Sequence, residues 1–136
     1  MAQNFLACDR DQELLLPPSV RDWLPEDHFA WLVLAAVDEM DLATFYSAYR
    51  ADGHGRAAHD PSMMVALLLY TYARGQRSSR AIERGCIEDV AYRVIAANRV
   101  PDHCTIAVCG PPRTASCLRA ASHFFPLLRG YSQFLN

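Results

Sequence analysis

Residues 63–73, MMVALLLYTYA, constrain the fold more than any other segment, since only Thr71 interrupts their apolar character. Asp60-Pro61 just before it is a helix start, an N-cap acid followed by proline at the first helical position. Gly75 just after it is a helix stop. A helix apolar on every side has no face to give to water, so it belongs at the centre of a bundle. Its methionines read as core filler. It is far short of the roughly 20 residues needed to span a bilayer.

The flanking segments carry one-sided patterns that would surround such a helix. Phe29, Leu32, Val33, Ala36, Val37 and Met40 repeat at helical spacing, and Pro25-Glu26-Asp27 reads as the start of that helix. Ser19 to Trp23 suits a single helical turn, and Asp41 suits the cap of a short helix carrying Leu42, Phe45, Tyr46 and Tyr49. Further on, Ile87, Val90, Ala91, Val94 and Ile95 form another stripe, with Gly85 interrupting the chain ahead of it. Asn98 and Pro101 close that segment, and Asp102 caps a last helix opening at His103. No segment reads as a strand. The expectation is an all-α, compact multi-helix bundle with a helix-turn-helix-like region and an irregular C-terminal tail.

Charge is divided unevenly. Residues 1–60 hold 11 acids and 4 arginines, a net of −7, whereas residues 61–136 hold 4 acids and 9 arginines, a net of +5. There is no lysine. Oppositely charged halves suggest a polyanion partner for the basic one. Six arginines lie between Arg74 and Arg99, and Arg77, Arg80 and Arg84 are spaced to share one helical face. Ser78 and Ser79 offer an N-cap whose open backbone N–H groups suit a phosphate. Two readings stand at this point. The arginines contact nucleic acid, or they form an ordinary surface paired with Glu83 and Glu88. After residue 107, the tail adds three arginines and no acid, so the local spacing carries more weight than the overall balance.

Metal and cofactor chemistry find little support. A zinc site would draw on Cys104, Cys109, Cys117, His103 and His123, but there is no Cys-x-x-Cys pair; His54 and His59 have no third ligand nearby. No Cys/His or Ser/His pairing suggests nucleophilic catalysis. The reading therefore assigns no metal, cofactor or catalytic residue. Five irregularly spaced cysteines and the lack of an N-terminal leader pattern place the chain in a reducing cytoplasm, with no membrane partner.

The order of several motifs is more specific. Segments 16–20 (LPPSV), 24–28 (LPEDH) and 37–42 (VDEMDL), then Phe45-Tyr46, Tyr49-Arg50 and residues 53–56, resemble the InsH-like N-terminal domain of insertion-sequence-five transposases. The resemblance is strongest over 70–75 (YTYARG), 77–83 (RSSRAIE) and 88–93 (EDVAYR), and continues through Asn98, Pro101-Asp102-His103 and Thr105-Ile106-Ala107. It implies a bacterial, nucleoid-associated DNA-binding and assembly domain that precedes an Asp-Asp-Glu catalytic domain and engages the terminal inverted repeats. On that basis Arg77, Ser78, Ser79, Arg80 and Arg84 are the expected DNA contacts, joined by Arg74 and Arg93 from the same group of arginines. The alternative is an interaction fragment that associates with itself or with full-length transposase, or a nonfunctional remnant.

Residues 1–107 are read as the helical domain and 108–136 as a divergent tail. The tail opens Val108-Cys109-Gly110-Pro111-Pro112-Arg113 where the family continues with an arginine- and phenylalanine-rich helix. Pro-Pro-Arg codons read one base later give Arg-His-Glu with suitable third bases, which matches the family's later segment. Truncation by a frameshift, accidental or programmed, is the expectation, and strand chemistry is then absent. A genuine C-terminal helix over residues 115–128 is the alternative.

Overall fold

The computed structural model describes residues 5–11, 19–47 and 57–109, and in these the chain is all-α. A 3-10 turn (Val20–Trp23) leads to α1 (Phe29–Asp38), α2 (Ala43–Ser47), α3 (Pro61–Ala73), α4 (Ser79–Glu88), α5 (Val90–Ile95) and α6 (His103–Cys109). Extended pairing among the described residues is confined to an isolated bridge between Phe5 and Ala58. The proposed C-terminal helix, Tyr49 and His54 lie outside the described residues.

Helix α3 occupies the centre, as its composition requires: Pro61 and every residue from Met63 to Thr71 are buried. Its ends are sealed as the sequence indicates. The Asp60 carboxylate accepts from the Ser62 N–H at 2.8 Å, and Gly75 takes the left-handed conformation at φ 79°. The N–H groups of Gly75 and Gln76 then donate back to Tyr72 and Thr71 in a Schellman turn. Helix α1 packs against α3 through Phe29, Ala30, Val33 and Val37, while α5 contributes Ala91 and Ile95 to the same core. Helix α4 packs against both α5 and α6.

Three local expectations are corrected. Helix α1 starts at Phe29, not at Pro25, because His28 is its cap: Nδ1 accepts from the Ala30 N–H at 3.1 Å. Pro25 instead accepts from the His28 N–H and from the Trp31 indole. The helix also ends before Met40, and Leu32 is exposed at the rim of the α1 face.

The second correction concerns Gly85, which sits inside α4 and interrupts nothing. The break falls at Asp89, whose extended backbone ends α4 and whose carboxylate caps α5 through the Ala91 N–H at 2.8 Å. The turn between α4 and α5 is therefore made at a capping aspartate. The third follows from the second. The stripe from Ile87 to Ile95 is not one face, because the chain changes direction within it: Ala91, Val94 and Ile95 are buried, whereas Ile87 and Val90 are exposed.

Gly85 is required by close approach. A Cβ there would lie 2.8 and 2.9 Å from two ring carbons of Tyr92, which is itself set edge-on to Tyr70 with centroids 5.4 Å apart. Alanine ordinarily gains about 1 kcal/mol over glycine inside a helix. Here Gly85→Ala is expected to lower stability by about 1–2 kcal/mol, because displacing a packed ring costs more than the helix gains. Urea denaturation checks the sign, and a higher midpoint would show that the ring yields freely.

His28 gives the fold a pH dependence. Burial is the larger cause lowering its pKa below the ordinary 6.5, with the Arg74 charge acting in the same direction. The native state thus prefers the neutral ring, whose Nδ1 lone pair the cap uses. Its contribution is fully present above pH 6.5 and is lost as pH falls from there through the lowered native value. Losing the cap is expected to cost about 1 kcal/mol. His28→Asn, a cap that does not titrate in this range, should remove that part of the decline between pH 7.5 and 5.5. Identical declines in the two proteins would contradict the assignment.

Candidate nucleic-acid interface

The seven expected contact residues do not form one surface of equivalent side chains. Helix α4 presents Arg80 and Arg84, both exposed and one turn apart, opposite the buried Ile82 and Cys86. Arg77 is exposed as well, but it precedes the N-cap Ser78 and so lies in the connection from α3, off the helical face. The three-and-four spacing overstated its membership because the helix begins only at Ser79.

Ser78 occupies the N-cap position without using its side chain as a cap, while its own N–H donates to Gln76 Oε1 at 3.1 Å. The first-turn N–H groups of α4, at Ser79, Arg80 and Ala81, thus have no hydroxyl capping them. Positive helix-end charge, these N–H groups and three guanidinium groups come together over a short length of chain. Such a combination suits phosphate oxygens.

Arg74 and Arg93 have structural partners. Arg74 donates to the Tyr70 hydroxyl at 2.7 Å and lies over the Tyr70 ring, with its carbon 5.5 Å from the centroid. Burial works against its charge, but the Tyr70 hydroxyl and Asp89 outweigh this and keep the guanidinium firmly protonated. Arg93 donates to Asn98 Oδ1 at 3.0 Å and lies over Trp23, 5.4 Å from the centroid. It ties α5 to the 3-10 turn. Sequence spacing could not separate these two from the others, since Tyr70 and Trp23 reach them only in the fold.

Of the acids near the arginines, Glu88 is exposed four residues after Arg84 without an ion pair to it among the described residues, and the other two are engaged elsewhere. Glu83 reaches His103 Nδ1 on α6 at 2.9 Å, and Asp89 caps α5. Among the described residues, no ion pair joins Arg77, Arg80 or Arg84 to a carboxylate. The salt-bridged surface expected with Glu83 is therefore not what forms. His103, one of the residues considered for zinc, is taken up by the same Glu83 contact, and Cys117 and His123 lie outside the described residues. Burial pushes the Cys86 thiol up to about 12, which makes it inert core filler.

One feature of this surface escaped the periodicity. Ile87 follows Arg84 by three residues and Arg80 by seven, so it extends their exposed line. Asp89, an N-cap acid inside an apolar stripe, was the sequence signal that could have moved it out of the core. No helix among the described residues is long and apolar enough to cross a membrane. The family model described as "Transposase domain (DUF772)" matches residues 18–109. Neither a curated protein nor a solved structure matches the chain.

Proposed function

Because the chain belongs to the transposase-domain family DUF772, we propose that it is a DNA-binding and assembly domain of a DDE-type, InsH-like transposase. Its ligand in this reading is the terminal inverted repeat of an insertion sequence. The observation that carries the proposal is the set of arginines at Arg77, Arg80 and Arg84, exposed and without carboxylate partners among the described residues, around the uncapped start of α4. Ser79, Arg80 and Ala81 supply open backbone N–H groups to the same place, whereas the Ser78 N–H is taken by Gln76. Arg74 and Arg93 are given a structural role instead, through Tyr70 and Trp23.

Footprinting on the ends of the element tests this reading. Protection centred on the terminal repeats is expected. Absence of protection at any protein concentration would overturn it.

Strand chemistry is proposed to reside outside this chain. Two-metal catalysis needs carboxylates converging on ions about 4 Å apart. Here Asp41, Asp60, Asp89 and Asp102 each accept a backbone N–H at a helix start, and Glu83 binds His103. Purified chain with magnesium or manganese is expected to leave supercoiled DNA uncut, and nicking would refute the assignment.

A second reading, association with another transposase copy, draws on a groove of about 550 Å³ beside α6. Leu6, Met64, Val100 and Val108 line it, and the last two are largely exposed. Oligomers that persist in high salt, without DNA retention, would favour that reading over the first.

A further inference from the structure

Ile87 is 58% exposed on a helix that buries Ile82 and Cys86. A lone exposed isoleucine is unremarkable on a protein surface. This one has a particular setting. Its side chain follows Arg84 by about one turn and Arg80 by two, on the side of α4 facing away from the core, and the exposed Val90 stands just beyond the Asp89 break. Apolar surface thus follows, along the helix, cationic groups that form no ion pair among the described residues, with the exposed Glu88 as the one acid next to them in α4. An isoleucine more than half exposed contributes little core stability, and it lowers helix propensity relative to a straight chain. A partner offering both negative charge and apolar groups within one helix face would use all of these side chains.

The DNA major groove is such a partner. It admits a helix, carries phosphates along both rims and presents the 5-methyl group of thymine on its floor. The minor groove displays no such methyl. We propose that Ile87 is a base-contacting residue that reads thymine 5-methyl groups in the major groove, while Arg80 and Arg84 hold flanking phosphates. The inference rests on the DNA-binding reading above and adds to it a groove, a base and a specificity-determining side chain.

Deoxyuridine tests it, since it differs from thymidine only by the missing methyl. The full chain is titrated, by fluorescence anisotropy, onto a short duplex of A·T pairs and onto the same duplex with deoxyuridine replacing thymidine. Wild type is expected to bind the thymidine duplex about fourfold more tightly for each methyl buried. Ile87→Ser should bind the two duplexes equally and keep the wild-type salt dependence. Ile87→Val should keep the preference. Circular dichroism of each variant verifies that it is folded; exposure of the site makes folding the expectation.

Equal wild-type binding to both duplexes, with salt dependence intact, would overturn the role of Ile87 and leave the DNA interface standing. A thymidine preference that survives in folded Ile87→Ser would do the same. Failure of the wild-type chain to bind either duplex in low salt would overturn both.

Discussion

Replacing Arg77, Arg80 and Arg84 together with alanine is expected to abolish most DNA binding and leave the fold intact. All three side chains are exposed, so their loss removes little packing. Each phosphate neutralised contributes about 0.9 to the slope of log affinity against log salt, so the triple variant should lose about 2.7 from that slope. The wild-type dissociation constant is expected at about 10⁻⁴ to 10⁻⁶ M, the range of sequence-independent binding, which leaves the variant near the limit of detection.

The same substitution at Arg74 or Arg93 should behave differently. Arg74→Ala strands the buried Tyr70 hydroxyl, and Arg93→Ala uncovers Trp23. Both are expected to lower thermal stability more than they change the salt slope. Unchanged binding in the triple variant, or a larger slope loss at Arg74 than at Arg80, would locate the interface elsewhere.

Tyr70→Ala is expected to be the most damaging core substitution. Tyr70 is 1% exposed and lies among His28, Phe29 and Tyr92, with ring centroids 6.3, 5.8 and 5.4 Å away. It therefore joins the cap of α1, the body of α3 and the turn of α5, and its hydroxyl holds Arg74 at the end of α3. Truncating a buried aromatic side chain to alanine costs about 3–5 kcal/mol. Domains of ordinary stability hold about 5–15 kcal/mol in total, so the variant should be largely unfolded or melt at much lower temperature.

Tyr70→Phe separates ring from hydroxyl. It should cost only about 1 kcal/mol, the net worth of one hydrogen bond. Thermal melts of the two variants supply the check, and near-equal losses would mean that the hydroxyl matters as much as the ring.

The sequence disclosed α3 and its boundaries because three independent signals agree there. Asp60-Pro61 fixes the start, Gly75 fixes the end, and uniform apolarity fixes the central position. Asp41 and Asp102 were equally legible as caps, and both act as such. The failures occurred where one residue served an unusual role. His28 is an uncommon cap, so the more familiar Pro25-Glu26-Asp27 pattern drew the start of α1 too early. Gly85 looks like a breaker, but its missing side chain answers the Tyr92 ring.

The interface was legible as a group of arginines and no further. Spacing identifies Arg80 and Arg84 as neighbours because both lie within α4. It cannot tell that Arg74 stacks on Tyr70 or that Arg93 stacks on Trp23, since those partners are assembled by the fold. Nor could it show that Glu83 turns to His103, which is what leaves the arginines without that partner.

The central claim, that the exposed arginines around the start of α4 bind duplex DNA, is tested most directly by a salt titration of the full wild-type chain. Binding to duplex DNA followed by anisotropy across a range of sodium chloride should give log affinity falling linearly with log salt, with a slope of about −2.7 for three phosphate contacts. Binding that does not respond to salt, or no binding at the lowest salt by a chain shown to be folded, would contradict it.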